Sequence, residues 1–99
     1  MSKKKDNKQL RAIGHKLKPV VTVAGKGLSE TVMAELERAL TDHEIIKVKL
    51  AVPGKADRQQ LSEAICKQTG AQLVQSIGSV ILLLRRSREP DPRLSNLIR

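Results

Sequence analysis

The hydrophobic positions of this chain change period along its length, and each change marks an element. Leu10, Ile13 and Leu17 are spaced i, i+3, i+7, which predicts a short helix from about Asp6 to Gly14. Pro19 favours an extended residue at Lys18 and marks the exit from that helix. Val20, Val21, Thr22 and Val23 are β-branched throughout and read as a strand. Ala24-Gly25-Lys26-Gly27 is then a flexible turn. Ser29 is a good N-cap, with Leu28 and Met33 placed as a hydrophobic staple. Val32, Leu36 and Leu40 form the apolar face of a helix ending near Thr41 or Asp42. Ile46, Val48, Leu50 and Val52 alternate with Lys47, Lys49 and Ala51. That is the period of a half-buried strand, with both lysines on the face opposite the apolar residues.

The pattern breaks at Pro53-Gly54. Asp57 and Gln60 resemble a capping box, with Asp in place of Ser or Thr. Leu61, Ala64 and Ile65 form the stripe of a third helix, and Gly70 sits where a terminating glycine belongs. Leu73 to Ile77 and Val80 to Arg85 read as two strands, and Gly78-Ser79 between them has the glycine that a type II′ hairpin wants first. The order is α-β-α-β-α-β-β. Two β-α-β crossovers imply parallel neighbours, and the last hairpin adds an antiparallel pair. The expected fold class is α/β, a four-stranded mixed sheet packed with three helices. Residues 6–86 are expected to form one domain, between a disordered basic arm at 1–5 and a flexible polar tail at 87–99. Within that tail Leu94, Leu97 and Ile98 could make a short helical or docking segment.

Charge changes the picture most. Lys and Arg outnumber Asp and Glu by 19 to 10, a net charge of +9. The excess lies at the ends: residues 1–18 hold seven basic and one acidic side chain, and residues 85–99 hold five and two. The middle, 19–84, holds seven of each. A fold that brings the ends to one side concentrates this charge into a patch facing a polyanion. No basic segment carries bulky apolar anchors on an opposite face, which argues against an anionic membrane as partner. The longest uninterrupted apolar run, Val80 to Leu84, is far short of a span. Met1-Ser2-Lys3-Lys4-Lys5 does not read as a signal peptide, and the single Cys66 fits a reducing compartment, so a cytoplasmic monomer is expected. Phe, Tyr and Trp are absent. Base stacking on aromatic rings is therefore closed, which leaves Arg planes for stacking and phosphates, 2′-hydroxyls and RNA shape for the rest.

Candidate chemistry is sparse elsewhere. The glycine turn before the second helix can present backbone N–H groups to an anion, with Lys26 adding a full charge. It lacks the pattern of a nucleotide P-loop, and its spacing is closer to a backbone-clamping loop; an ordinary strand–helix connection has the same form. His15 and His43 are not set near a Cys or carboxylate at metal-ligand spacing, and Glu44 beside His43 is a lone pair of neighbours. No metal, cofactor, small-molecule substrate or catalytic site is expected, and Cys66 is expected to pack inertly.

Five segments then carry a resemblance, in order and at matching spacing over about residues 8–86. They are Leu17-Lys18-Pro19-Val20-Val21, Ala24-Gly25-Lys26-Gly27-Leu28-Ser29, His43-Glu44-Ile45-Ile46-Lys47-Val48-Lys49, Thr69-Gly70-Ala71, and Val74-Gln75-Ser76-Ile77-Gly78 leading to Leu83-Leu84-Arg85. Together they resemble the CRM domain (chloroplast RNA splicing and ribosome maturation) in its stand-alone bacterial, YhbY-like form. The resemblance implies RNA binding, association with precursors of the large ribosomal subunit, and a fold similar to the C-terminal domain of translation initiation factor three. The family's G-x-x-G loop falls on Ala24 to Gly27, with Ala24 in place of the first glycine, and its strand-ending Tyr-Arg becomes Leu84-Arg85. The expected function is a non-enzymatic factor that binds structured ribosomal RNA and assists ribosome assembly. Lys16, Lys18, Lys26, Lys47, Lys49, Arg85 and Arg86 are its expected phosphate contacts, and Gly25 and Gly27 let the backbone approach. The alternative is a protein-binding adaptor whose basic ends serve only solubility.

Overall fold

The computed structural model describes residues 6–24 and 28–97. Their elements run α1 (Asn7–His15), β1 (Pro19–Ala24), α2 (Glu30–His43), β2 (Ile45–Ala51), α3 (Lys55–Thr69), β3 (Gln72–Ile77) and β4 (Val80–Leu84). This is the α/β order expected from periodicity. The sheet order is β1-β2-β4-β3, with β1 and β2 parallel and β4 antiparallel to both of its neighbours. The second crossover therefore departs from expectation. β3 runs parallel to β2, but β4 is inserted between them. The reason is the hairpin: Gly78 takes φ +57° and Ser79 stays out of the positive-φ region, as a type II′ turn requires, and the turn folds β4 back into the gap.

Local chemistry sets the helix ends. Asp6 accepts the backbone N–H of Gln9 at 2.8 Å, and the Gln9 side chain accepts that of Asp6 at 2.9 Å, a full capping box on α1. Ser29 Oγ accepts the Val32 N–H at 3.1 Å and caps α2. The capping box expected at Asp57 and Gln60 is not formed. α3 already begins at Lys55, so Asp57 lies inside its first turn, and Gly54 stands at the cap with no side-chain bond. Arg58 secures this entry instead, donating to the carbonyls of Val52 at 3.0 Å and Pro53 at 2.9 Å.

The sheet is covered on both faces, unequally. Alternation along β2 sends Ile46, Val48 and Leu50 to one side, where they pack with Leu36 and Leu40 of α2 and Ile65 of α3. Ile45 precedes Ile46 by one residue and so faces the other side. There it packs with Leu10 of α1, Leu82 and Leu84 of β4, and Leu97. Gly14 lets α1 lie close: a Cβ built on it would stand 2.5 Å from Leu82 Cδ2 and 2.7 Å from Cδ1.

The flexible tail expected at 87–99 is corrected for residues 87–97, which are docked onto the α2–β2 junction. Glu44 there is buried at φ +64°, a backbone conformation that non-glycine residues rarely take. Its carboxylate accepts Ser95 Oγ–H at 2.6 Å and the Ser87 N–H at 2.7 Å. Asn96 donates from its backbone to the His43 carbonyl and from its side chain to the Ile45 carbonyl, both at 2.9 Å. His43 Nδ1 lies 2.8 Å from the Leu94 carbonyl, which can only accept, so Nδ1 carries the proton. Leu97 is then pressed into the α1-side core. In this tail the Ser95 hydroxyl and the Ser87 backbone serve a buried carboxylate, while Arg88, Glu89 and Arg93 stay exposed. The arm at 1–5, the loop Gly25-Lys26-Gly27 and Ile98 lie outside the described residues.

Candidate nucleic-acid interface

α1 covers the part of its sheet face that carries Ile45, Leu82 and Leu84. The rest of that face stays open, and it is the face bearing the two strand lysines. Lys47 pairs in register with Leu82, and Lys49 lies between Thr22 of β1 and Val80 of β4. Lys49 is exposed and Lys47 half-buried. Alternation thus predicts their shared face correctly, and packing of α1 beside them gives that face a wall.

The wall is basic. In α1, Leu10 and Ile13 face the sheet, and Leu17 just beyond the helix joins the same core. Lys8, Arg11 and His15 repeat the same i, i+3, i+7 spacing two residues earlier, so they form an adjacent stripe. With Ala12 and Lys47 they line a groove of about 530 Å³, whose floor includes Val80 and Leu82. Gln75 and Ile77 of β3 close the far side, and Pro19 one end. No Asp or Glu lines it. Cations gathered in a concavity with low-dielectric walls reinforce one another's field and raise the local concentration of an anionic partner. Sequence reasoning missed Lys8 and Arg11. Their stripe was visible in the spacing, but nothing in the sequence said that α1 packs on the lysine face of the sheet.

Of the residues expected in the patch, Lys47 and Lys49 are brought together on the open face. Lys16 and Lys18 are exposed just past α1; Lys16 borders a second depression that shares Ala12 with the groove. Gly25, Lys26 and Gly27 lie outside the described residues. Arg86 is exposed. Arg85 does not join the patch. Its guanidinium is on the α2–α3 side, donating to the Glu37 carboxylate at 2.8 Å, the Thr69 carbonyl at 2.9 Å, the Glu37 carbonyl at 3.2 Å and Thr41 Oγ at 3.1 Å. The parity of β4 explains this: Leu83 faces the helix pair, so Arg85, two residues on, does too. Arg85 ties α2 to the end of α3, and Glu37 neutralises it.

Other reactive groups have structural partners. His43 and Glu44 hold the C-terminal segment. Burial pushes the Cys66 thiol above its ordinary range, which disfavours the nucleophilic thiolate. Among the described residues no group of three His, Cys, Asp or Glu side chains could hold a metal ion, and no helix is long and apolar enough to cross a membrane.

Comparison with known proteins agrees with this geometry. Over 92 residues the chain is 53% identical to a protein of Pseudomonas aeruginosa named probable RNA-binding protein PA4753, covering 93% of this chain and 88% of the relative. It is 44% identical over 90 residues to an RNA-binding protein of Haemophilus influenzae, covering 91% of each. The solution structure of the hypothetical protein SAV1595 from Staphylococcus aureus superposes with a TM-score of 0.75 at 30% identity, over 84% of this chain and 86% of that one. The CRS1 / YhbY (CRM) domain model matches residues 3–85, so the chain belongs to the CRM domain family.

Proposed function

We propose that this chain is a non-enzymatic cytoplasmic factor that binds structured ribosomal RNA, on precursors of the large subunit, and assists their assembly. The observation that carries RNA binding is the open sheet face, where Lys8, Arg11 and Lys47 converge on a groove with no acidic side chain in its lining. The RNA-binding names of the relatives support the polymer class. The ribosomal target rests on the resemblance to the stand-alone bacterial CRM proteins. Lys49, Lys16, Lys18 and Arg86 extend the surface, and Lys26 with Gly25 and Gly27 is a further proposed phosphate contact.

Phosphate-dominated binding makes log K fall linearly with log salt, by about 0.7–0.9 per neutralised phosphate. Four to six contacts give a slope of roughly −3 to −5 in a fluorescence titration against ribosomal RNA fragments. A slope near zero would return weight to the adaptor alternative. Crosslinking in cells, followed by sequencing of the attached RNA, tests the target. Recovery of large-subunit precursor RNA is expected, and recovery of messenger or transfer RNA alone would overturn the ribosomal assignment.

A further inference from the structure

The groove on the open face has two kinds of surface, and phosphates use only one of them. Its rim is cationic: Lys8 and Arg11 on α1, Lys47 on β2. The apolar surface open inside it is aliphatic: half-buried Val80 of β4, lying beside the buried Leu82, and Ile77 of β3 at the mouth, 65% exposed. Lysines projecting from a flat face would suffice to hold a phosphate backbone. An apolar floor recessed between a helix and a sheet gains nothing from phosphates, and its exposure to water is unfavourable until something apolar covers it.

We infer that this groove receives one unpaired nucleobase of the bound RNA, with the phosphates on either side of it held by the cationic rim. The inference rests on the RNA-binding function proposed above and specifies what that site takes. Four features point to a base. The groove's volume of about 530 Å³ lies within the ordinary range of ligand clefts, about 300–1,000 Å³. A flat ring can cover the aliphatic floor with its face, whereas a base inside a rigid duplex cannot leave the stack to reach it. Gln75 at the wall offers both an amide donor and a carbonyl acceptor, the complement of a base edge. Arg11 supplies a guanidinium plane and His15 an imidazole ring, flat groups on which a base can stack in a chain without Phe, Tyr or Trp. The RNA element selected is therefore a helix interrupted by a bulged or looped-out nucleotide, rather than a continuous duplex.

The test compares three RNAs on the full chain at one salt concentration: a continuous duplex, the same duplex with a single-nucleotide bulge, and that bulge with an abasic nucleotide. The two bulged forms carry the same phosphates and differ only in the base. The base-bearing bulge is expected to bind about tenfold more tightly than the abasic one, the scale of a base seated on a protein surface. In Ala12→Phe, where a ring from α1 fills the groove without changing charge, the ratio should fall towards one. Gln75→Glu, on the opposite wall, tests the same groove should Ala12→Phe disturb α1. Equal, salt-sensitive binding of both bulges would overturn the inference and leave RNA binding standing. A base preference that survives both variants would place the base elsewhere and overturn it too. Failure to bind any of the three RNAs, or binding indifferent to salt, would instead remove the RNA-binding function.

Discussion

At the scale of single residues, the groove depends on a side chain that is not there. Gly14 brings α1 down onto Leu82, and that contact sets the distance between the basic wall and the sheet. In Gly14→Ala the added methyl would sit 2.5 Å and 2.7 Å from the two ends of a Leu82 side chain that is only 2% exposed. Leu82 is packed on all sides, so either its rotamer or the helix must move. Overpacking costs about 1–3 kcal/mol, and the better helix propensity of Ala offsets up to about 1. A net loss of up to about 2 kcal/mol in urea denaturation is expected, together with weaker RNA binding from a widened groove. Unchanged stability and unchanged RNA binding together would mean that the helix rides freely on the sheet. Residue identity made some such details legible and hid others. Gly78 could be recognised because a hairpin turn needs its positive φ. Gly14 could not, because the need comes from Leu82, sixty-eight positions away in sequence. Arg85 was misplaced for a similar reason: its charge was visible, its partner Glu37 on another helix was not.

At the scale of elements, the sequence pattern identified every helix and strand among the described residues: the three helices and β2 by the period of their apolar face, β1 by its β-branched run, and β3 and β4 as runs on either side of a turn glycine. Less legible was the C-terminal segment. Its prolines and charges look like a solvated tail, yet Ser87, Ser95 and Asn96 serve polar groups at the α2–β2 junction. Only the fold reveals that Glu44 is buried and needs donors. Ser95→Ala removes one of them and leaves a carboxylate oxygen without its partner inside the protein. The expected cost is about 1–3 kcal/mol. Truncation after Arg86 removes both donors and also uncovers Leu10 and Leu84 by deleting Leu97. About 2–4 kcal/mol should be lost, the range for taking a large aliphatic side chain out of a core. Thermal melts of both variants check this. A truncated chain as stable as the full one would show that residues 87–97 lie on the surface without supporting it, and that the Glu44 backbone conformation is held by α2 and β2 alone.

At the scale of the whole molecule, the sequence shows a charge excess at its two ends, and the fold turns part of that excess into a directional surface. α1 carries its cations to the one sheet face that α2 and α3 leave free. β2 contributes Lys47 and Lys49 to that face although the middle of the chain is neutral overall. The opposite side presents α2 and α3, where Glu37 and other acidic residues balance the cations. A molecule polarised in this way should orient on a polyanion before it makes specific contacts. Lys47→Glu and Lys67→Glu make equal changes in net charge at positions on different sides of the sheet. Lys47 lines the groove on the open face, and Lys67 is exposed in the last turn of α3. If attraction to RNA were only a matter of total charge, both variants would lose the same affinity at matched salt. A surface of the kind described here predicts that Lys47→Glu loses clearly more, by about 1.5–3 kcal/mol, the scale of a hydrogen bond to a charged group. It should also lower the salt slope by close to one phosphate equivalent, about 0.7–0.9. Lys67→Glu should leave the slope unchanged, because no phosphate is released with it. Equal losses and equal slopes in the two titrations would mean that the open face is not the interface, and the binding surface would have to be sought on the helix side of the sheet.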